Sequence, residues 1–259
     1  MGILNITPDS FSDGGKYFDG KLNPDKILKD AMKMEKDGAD FLDIGGESTR
    51  PGSEKVSVET ELERVIPVIE LIRKNSDIPI SIDTYKSEVA EEALKKGADI
   101  VNDISGFRFD KKIAKITAKY NATCILMHIK GSPKNMQVNP VYENVVEEVY
   151  TYLLESILMA ENAGIKQIVT DVGIGFGKNL QNNLDLIKNL SVFKKLGYPI
   201  LLGVSRKRFI ENISQTPVNE RLEGTIAANI AGILNGANII RVHDVLENRQ
   251  AALIADKLK

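Results

Sequence analysis

Apolar residues are distributed along the chain in two alternating patterns. Short runs rich in Ile, Val and Leu stand at 2–6 (GILNI), 41–45 (FLDIG), 78–83 (IPISID), 99–103 (DIVND), 123–128 (TCILMH), 167–171 (QIVTD), 199–205 (PILLGVS) and 239–244 (IIRVHD). They are too short for ordinary helices and apolar on both faces, so each is expected to be a buried parallel strand. Between them, and after the last, apolar residues recur at helical spacing over roughly 24–37, 57–74, 86–96, 110–119, 141–163, 181–195, 218–235 and 245–258. Asn23 and Pro24 open the first helix in the expected positions. Gly38, Gly97, Gly164, Gly197 and Gly236 each follow a helix end, where a left-handed residue closes the last turn.

Eight strand–helix units predict an α/β chain folded as a closed (β/α)8 TIM barrel. An open doubly wound sheet would give similar local signals, but 259 residues match the roughly 250 usual for the barrel. No linker, low-complexity tract or shift in composition divides the sequence, so one domain over 1–259 is expected.

Composition narrows the partners more than the fold. Thirty-four basic and 36 acidic residues leave a formal charge of −2. The basic residues form no stripe, so neither nucleic acid nor a membrane surface is indicated, and small substrates are expected. Cys124, the single cysteine, lies in the apolar stretch ATCILM and cannot form an internal disulfide; it reads as a buried thiol in a reducing cytoplasm. No basic start with an apolar h-region opens the chain, and no run approaches eighteen apolar residues, so neither secretion nor a membrane span is expected.

In a barrel of this type the active site forms where the strands end. Those ends carry Asn5, Asp43 with Glu47, Asp83, Asn102 with Asp103, His128, Asp171, Ser205 with Lys207, and Arg241 with His243. Any one of these could simply cap a helix or bond a loop amide. A whole ring of them around one mouth is costly to desolvate without a ligand. The ring also divides by chemistry: Asp83, Asn102 and Asp171 offer acceptors to a donor-rich heterocycle, whereas Thr49, Arg241, His243 and the ESTRPG loop at 47–52 offer donors to phosphate. A ligand with two halves is implied.

The glycine-rich DVGIGFGK at 171–178 is neither a Walker A loop, given Val172 and Asn179, nor a dinucleotide fingerprint, since Gly177 falls one position early. It reads as a close-packed loop with Phe176 as a flat contact surface. Zinc is set aside, because His128 and His243 lie on separate strands with no HExxH or paired-cysteine spacing. Mg²⁺ remains admissible, since it accepts one or two protein oxygens together with substrate phosphate.

Taken together, GILNITPDSFSDGG, DIGGESTRPG, SIDTYK, NDISG, LMH, DVGIGFGK, GVSRK and IIRVHDV resemble, in order and spacing, the signature segments of the dihydropteroate synthase family over essentially the whole chain. The resemblance implies a barrel that joins para-aminobenzoate to 7,8-dihydropterin-6-ylmethyl diphosphate with release of diphosphate. It implies that Asn5 holds Mg²⁺ with the diphosphate, and that Thr49, Arg241 and His243 contact the diphosphate. Asp83, Asn102 and Asp171 would hold the pterin, with Lys207 touching both pterin and aminobenzoate. Asp83, Asp171 and Lys207 would carry the catalysis. The aminobenzoate would lie among Phe11, Ser12, Pro51, Phe176 and Lys207, its carboxylate received where a helix begins at Arg208. Competition by sulfonamides, a homodimer and a cytoplasmic location are implied in the same way.

Two departures from the family pattern carry expectations. Val172 replaces a proline, which frees one backbone angle without removing a ligand. The chain also enters its first strand at Gly2, so a less well covered barrel floor is expected. Two rivals set limits. A methyltetrahydrofolate:corrinoid methyltransferase would need no diphosphate donors, and a non-catalytic pterin binder would not need both Asn5 and Lys207. Thr7 to Gly15 read as a lid whose Phe11 closes on the aminobenzoate.

Overall fold

The computed structural model describes residues 1–7, 17 and 22–259. Phe11, Ser12 and the lid expected at 7–15 therefore lie outside the described residues, apart from Thr7. The strands are β1 (Gly2–Asn5), β2 (Leu42–Gly45), β3 (Ile80–Asp83), β4 (Ile100–Asp103), β5 (Thr123–Met127), β6 (Ile168–Asp171), β7 (Ile200–Leu202) and β8 (Ile239–Ile240). Each pairs in parallel with the next. The ring closes just past β8, where Ile3 N–H donates to Val242 O and Val242 N–H to Met1 O, both at 3.0 Å. Closure decides for the barrel over the open sheet.

The helices are α1 (Pro24–Lys36), α2 (Val58–Arg73), α3 (Ser87–Lys95), α4 (Ile113–Lys119), α5 (Val145–Asn162), α6 (Leu180–Lys188), α7 (Arg208–Ser214), α8 (Leu222–Leu234) and α9 (Val245–Leu258). Asn23 caps α1 as expected, its side chain accepting from Lys26 N–H. Two expectations are corrected. The amphipathic stretch at 181–195 is α6 followed by a 3-10 helix, Leu190–Leu196. Residues 218–235 start with a 3-10 turn, Val218–Glu220, before α8. The helix expected to begin at Arg208 is α7, which closes at left-handed Gln215 and leaves no mark in the apolar spacing. At two turns it is too short to show a helical period.

Side chains alternate along a strand, and this alternation sorts the core. Leu42, Ile44, Ile80, Ile82, Val101, Cys124, Leu126 and Ile168 point outward into the main cluster under the helices. Met1, Ile125, Val169 and Leu201 pack inside the barrel with Phe41, Ile100 and Ile239. Two residues further along those strands, Phe41 gives way to Asp43, Ile100 to Asn102, Val169 to Asp171 and Ile239 to Arg241. The inward face thus changes from an apolar plug to a polar ring at the C-terminal end, which is what positions a site there. Val172 is fully buried in the outer cluster.

Among the described residues, no helix is long and apolar enough to cross a membrane.

Candidate active site

Two glycines leave space at the centre of the mouth. A Cβ at Gly45 would stand 3.6 Å from Asp83 Cβ and 3.9 Å from Asn5 Oδ1. One at Gly203 would stand 3.8 Å from both Asp171 Oδ2 and Lys207 Nζ, and 4.0 Å from Arg241 Cβ. Any larger residue would fill the space between the groups expected to meet a ligand.

On one side Arg241 links two carboxylates. Its Nε–H donates to Asp43 Oδ2 at 2.6 Å and its Nη2 to Asp83 Oδ2 at 3.0 Å. Asn102 Nδ2 donates to both oxygens of Asp43, at 3.3 and 3.2 Å. Asp43 is fully buried and forms the hub of this cluster. Burial, and then the neighbouring Asp43 charge, push Asp83 up to about 7 despite Arg241.

On the other side stand Asp171 and Lys207. Asp171 Oδ1 accepts the Gly173 N–H at 2.8 Å. Burial raises its pKa, opposed by Lys207, the Gly173 N–H, Arg241 and Lys178. Lys207 donates to Ile174 O and lies 4.7 Å over the Phe176 ring. Burial draws its ammonium down to about 8, with Asp171 acting against the fall. The preceding residue is turned away: Arg206 adopts a left-handed φ of 55° and pairs with Asp244. That reversal sends Lys207 toward the mouth, and α7 then starts at Arg208, which is exposed.

His243 is paired with Ser205, whose Oγ is 2.9 Å from Nδ1 and also accepts the His243 N–H at 3.2 Å. Burial and the charges of Arg241, Arg206, Arg50 and Lys207 hold the ring well below the usual histidine range, so it is neutral. With the Ser205 proton directed to Nδ1, Nε2–H becomes the donor. Thr49 and Pro51 stand half-buried and exposed on the loop after β2. That loop is pinned by Ser53 Oγ donating to Arg50 O at 2.8 Å and by Gly52 N–H donating to Pro133 O at 3.0 Å.

Three strand-end candidates are corrected to structural roles. Glu47 accepts from Tyr85 Oη and Lys86 Nζ, both at 2.6 Å, and Lys86 also reaches Glu61. Asp103 lies one residue out of phase with Asn102, so it faces outward; it accepts from Ser105 N–H and Oγ and from Phe107 N–H. His128, out of phase with Met127, is buried beside Lys178. The clean division by sign is also modified, because Arg241, read as a phosphate donor, is tied to acceptors on the pterin side. The sequence reading missed Asp43 as the hub and the glycine floor. Position gave some signal for Asp43, which lies two residues beyond inward Phe41.

The profile of a family described as "Pterin binding enzyme" matches residues 1–243. A curated dihydropteroate synthase from Clostridium beijerinckii is 51% identical over 259 residues, covering 99% of this chain and 92% of the relative. Among solved structures, a Yersinia pestis dihydropteroate synthase with a sulfonamide drug complex aligns with a TM-score of 0.95 at 40% identity, over 100% of this chain and 93% of that one. A dihydropteroate synthase from Clostridium difficile, in the presence of pteroic acid, aligns at 0.91 and 47% identity, over 100% and 95%.

Proposed function

The chain belongs to the family of pterin-binding enzymes, and we propose that it works as a dihydropteroate synthase through the residues gathered at its barrel mouth. It is a transferase that joins para-aminobenzoate to 7,8-dihydropterin-6-ylmethyl diphosphate and releases diphosphate. The observation that carries the residue assignment is the meeting of Asp171 and Lys207 with the Arg241–Asp43–Asp83–Asn102 cluster around one glycine floor. Pteroic acid, found with the Clostridium difficile relative, is itself a pterin joined to aminobenzoate, so both substrate halves suit one mouth.

Asp171 accepts from the adjacent N–H groups of the pterin pyrimidinone in charge-assisted bonds, and Asn102 and Asp83 complete that half. Arg241 uses two N–H groups on Asp43 and Asp83; a guanidinium has about five, so others remain for phosphate oxygens. Thr49 and the His243 Nε2–H add neutral donors. As the carbon–oxygen bond to diphosphate breaks, Asp83 and Asp171 stabilise positive charge at the pterin methylene. The arylamine lone pair then forms the carbon–nitrogen bond, and its proton is lost. Phe176, Pro51 and Lys207 flank the aminobenzoate, with the backbone at Arg208 toward its carboxylate; Phe11 and Ser12 join them from the sequence reading.

Among the described residues, no group of three or more His, Cys, Asp or Glu could hold a metal ion. Asn5 Oδ1 and Asp83 both face the space at Gly45, and a cation there would take one protein oxygen, from Asn5, and the rest from substrate and water. Mg²⁺ bound this way would neutralise charge on the departing diphosphate.

We place the protein in the cytoplasm, in keeping with its buried free thiol at Cys124, and as a homodimer. The outer face of α8 carries exposed Ala227, Ala231 and Leu234, and neighbouring α9 exposes Leu253 and Ile254. An apolar face on packed helices suits a second copy.

Diphosphate release from the pterin diphosphate should depend on para-aminobenzoate, yield dihydropteroate and be competed by a sulfonamide. Tight binding of the diphosphate without aminobenzoate-dependent release would instead identify an inactive binder. The pH profile tests the charge assignments. Asp83 is ionised only above about 7 and Lys207 is charged only below about 8. In the free enzyme, kcat/KM for the pterin diphosphate should therefore form a narrow bell between those values. Lys207→Arg, which stays charged, should lose the alkaline limb; an identical limb in the variant would remove Lys207 from that role.

A further inference from the structure

Lys178 takes no part in the proposed reaction, yet this lysine is only 2% exposed, an unusual state for its type in a loop. Its Nζ lies 2.8 Å from Gly173 O, 2.9 Å from Phe176 O and 2.8 Å from His128 Nδ1. Burial lowers the Lys178 pKa well below the usual lysine range, with Asp171 acting against the fall, and the three acceptors match the three hydrogens of its charged form when the imidazole is neutral with Nδ1 unprotonated. Burial, followed by the charge of Lys178 itself, holds His128 well below the usual range, in keeping with a neutral ring.

The backbone that Lys178 grips also sets the site. Gly173, whose carbonyl it binds, gives its N–H to Asp171 Oδ1. The next carbonyl, Ile174 O, accepts from Lys207, and Phe176, whose carbonyl Lys178 also binds, places its ring under Lys207. The loop turns on left-handed glycines at 173, 175 and 177. A Cβ at Gly173 would come within 1.9 Å of His128 O, so the loop rests directly on the chain leaving β5. Glycines permit this path but do not select it, because they also give the unfolded loop many alternatives. Lys178 selects it, through the bonds from Nζ to Gly173 O and Phe176 O.

We propose that Lys178 is a positioning residue for the pterin half of the site. It fastens the 172–178 turn so that the Gly173 N–H aims Asp171 while Ile174 O and Phe176 aim Lys207. A group displaced by an ångström can lose about 100-fold in function, so the effect on ligand binding should be large although Lys178 touches no ligand.

The inference rests on the pterin-binding reading, and the test separates the two. Calorimetry on the full chain would use two probes, 6-hydroxymethyl-7,8-dihydropterin and inorganic diphosphate, with Lys178→Met and Lys178→Gln. In each variant the pterin Kd should rise about 10- to 100-fold, with the diphosphate Kd within about twofold of the unaltered protein. Lys178→Gln keeps an N–H donor for Gly173 O and carries the same comparison if Lys178→Met does not fold. A pterin Kd that stays within twofold, or equal weakening of both probes, would overturn the proposal. Failure of the unaltered protein to bind the pterin would count against the pterin reading instead.

Discussion

Asp171→Asn should lower kcat/KM for the pterin diphosphate by about 100- to 1000-fold while leaving the fold intact. The two side chains have the same shape, so Oδ1 can still accept the Gly173 N–H. The second oxygen, however, becomes an amide that presents hydrogens to the N–H groups of the pterin. Losing a paired, charge-assisted contact and setting donor against donor costs about 3–4 kcal/mol, and each 1.4 kcal/mol is about tenfold.

The stability effect has the opposite sign. Burial raises the Asp171 pKa above its unfolded value, so ionisation opposes folding once the pH exceeds the unfolded pKa. A neutral amide removes that penalty, and the melting temperature should hold or rise. Steady-state kinetics beside thermal unfolding would test both parts. Near-normal kcat/KM would remove Asp171 from the pterin site, and a collapse in stability would make it a structural residue.

How legible this site was in the sequence depended on parity. The barrel followed from eight runs apolar on both faces, because only strands covered inside and outside read that way. The site residues that lay in register could be found from position: Asp43, Asn102, Asp171 and Arg241 each stand two residues past an inward apolar side chain. Strand ends alone did not distinguish Asn102 from Asp103 or Met127 from His128, although neighbouring residues face opposite sides. Counting by twos from Ile100 and Ile125 would have placed Asp103 and His128 behind the sheet.

Beyond the strands, parity stops. Glu47 resembled a site acid by order alone, but the turn after Gly45 sends it to Lys86. Lys178 carried no signal, since a lysine after glycine in a loop ordinarily reaches water. Its burial depends on carbonyls from its own loop and on a ring from the preceding strand's exit. The short α7 was expected only from the family resemblance and not from spacing, because seven residues span only two turns, too few to establish a period.

Arg241→Met should be the most damaging single change at the mouth, because it removes a cation that two buried carboxylates share. Asp43 is fully buried and the Asp83 side chain is 13% exposed, and the bonds of 2.6 and 3.0 Å to one guanidinium are what reconcile them. Methionine fills the volume but compensates neither charge. Breaking a buried pair in this way costs about 3–5 kcal/mol, more than replacing all its members by neutral groups. The loss should depend on pH with a defined sign. Asp83 is already raised to about 7 with Arg241 present. Without the guanidinium its folded pKa rises further, so proton uptake favours the native state over a wider range. Stability of the variant should thus fall as pH rises from about 4 through 7 and beyond, and urea unfolding at pH 6 and pH 8.5 would measure it. Asp83→Asn in the same chain should return much of the stability at pH 8.5 by removing one of the two opposed charges, without returning activity, since the phosphate donors remain absent. Arg241→Met unfolding at the same urea concentration as the unaltered protein at both pH values would show that the carboxylates do not depend on this cation.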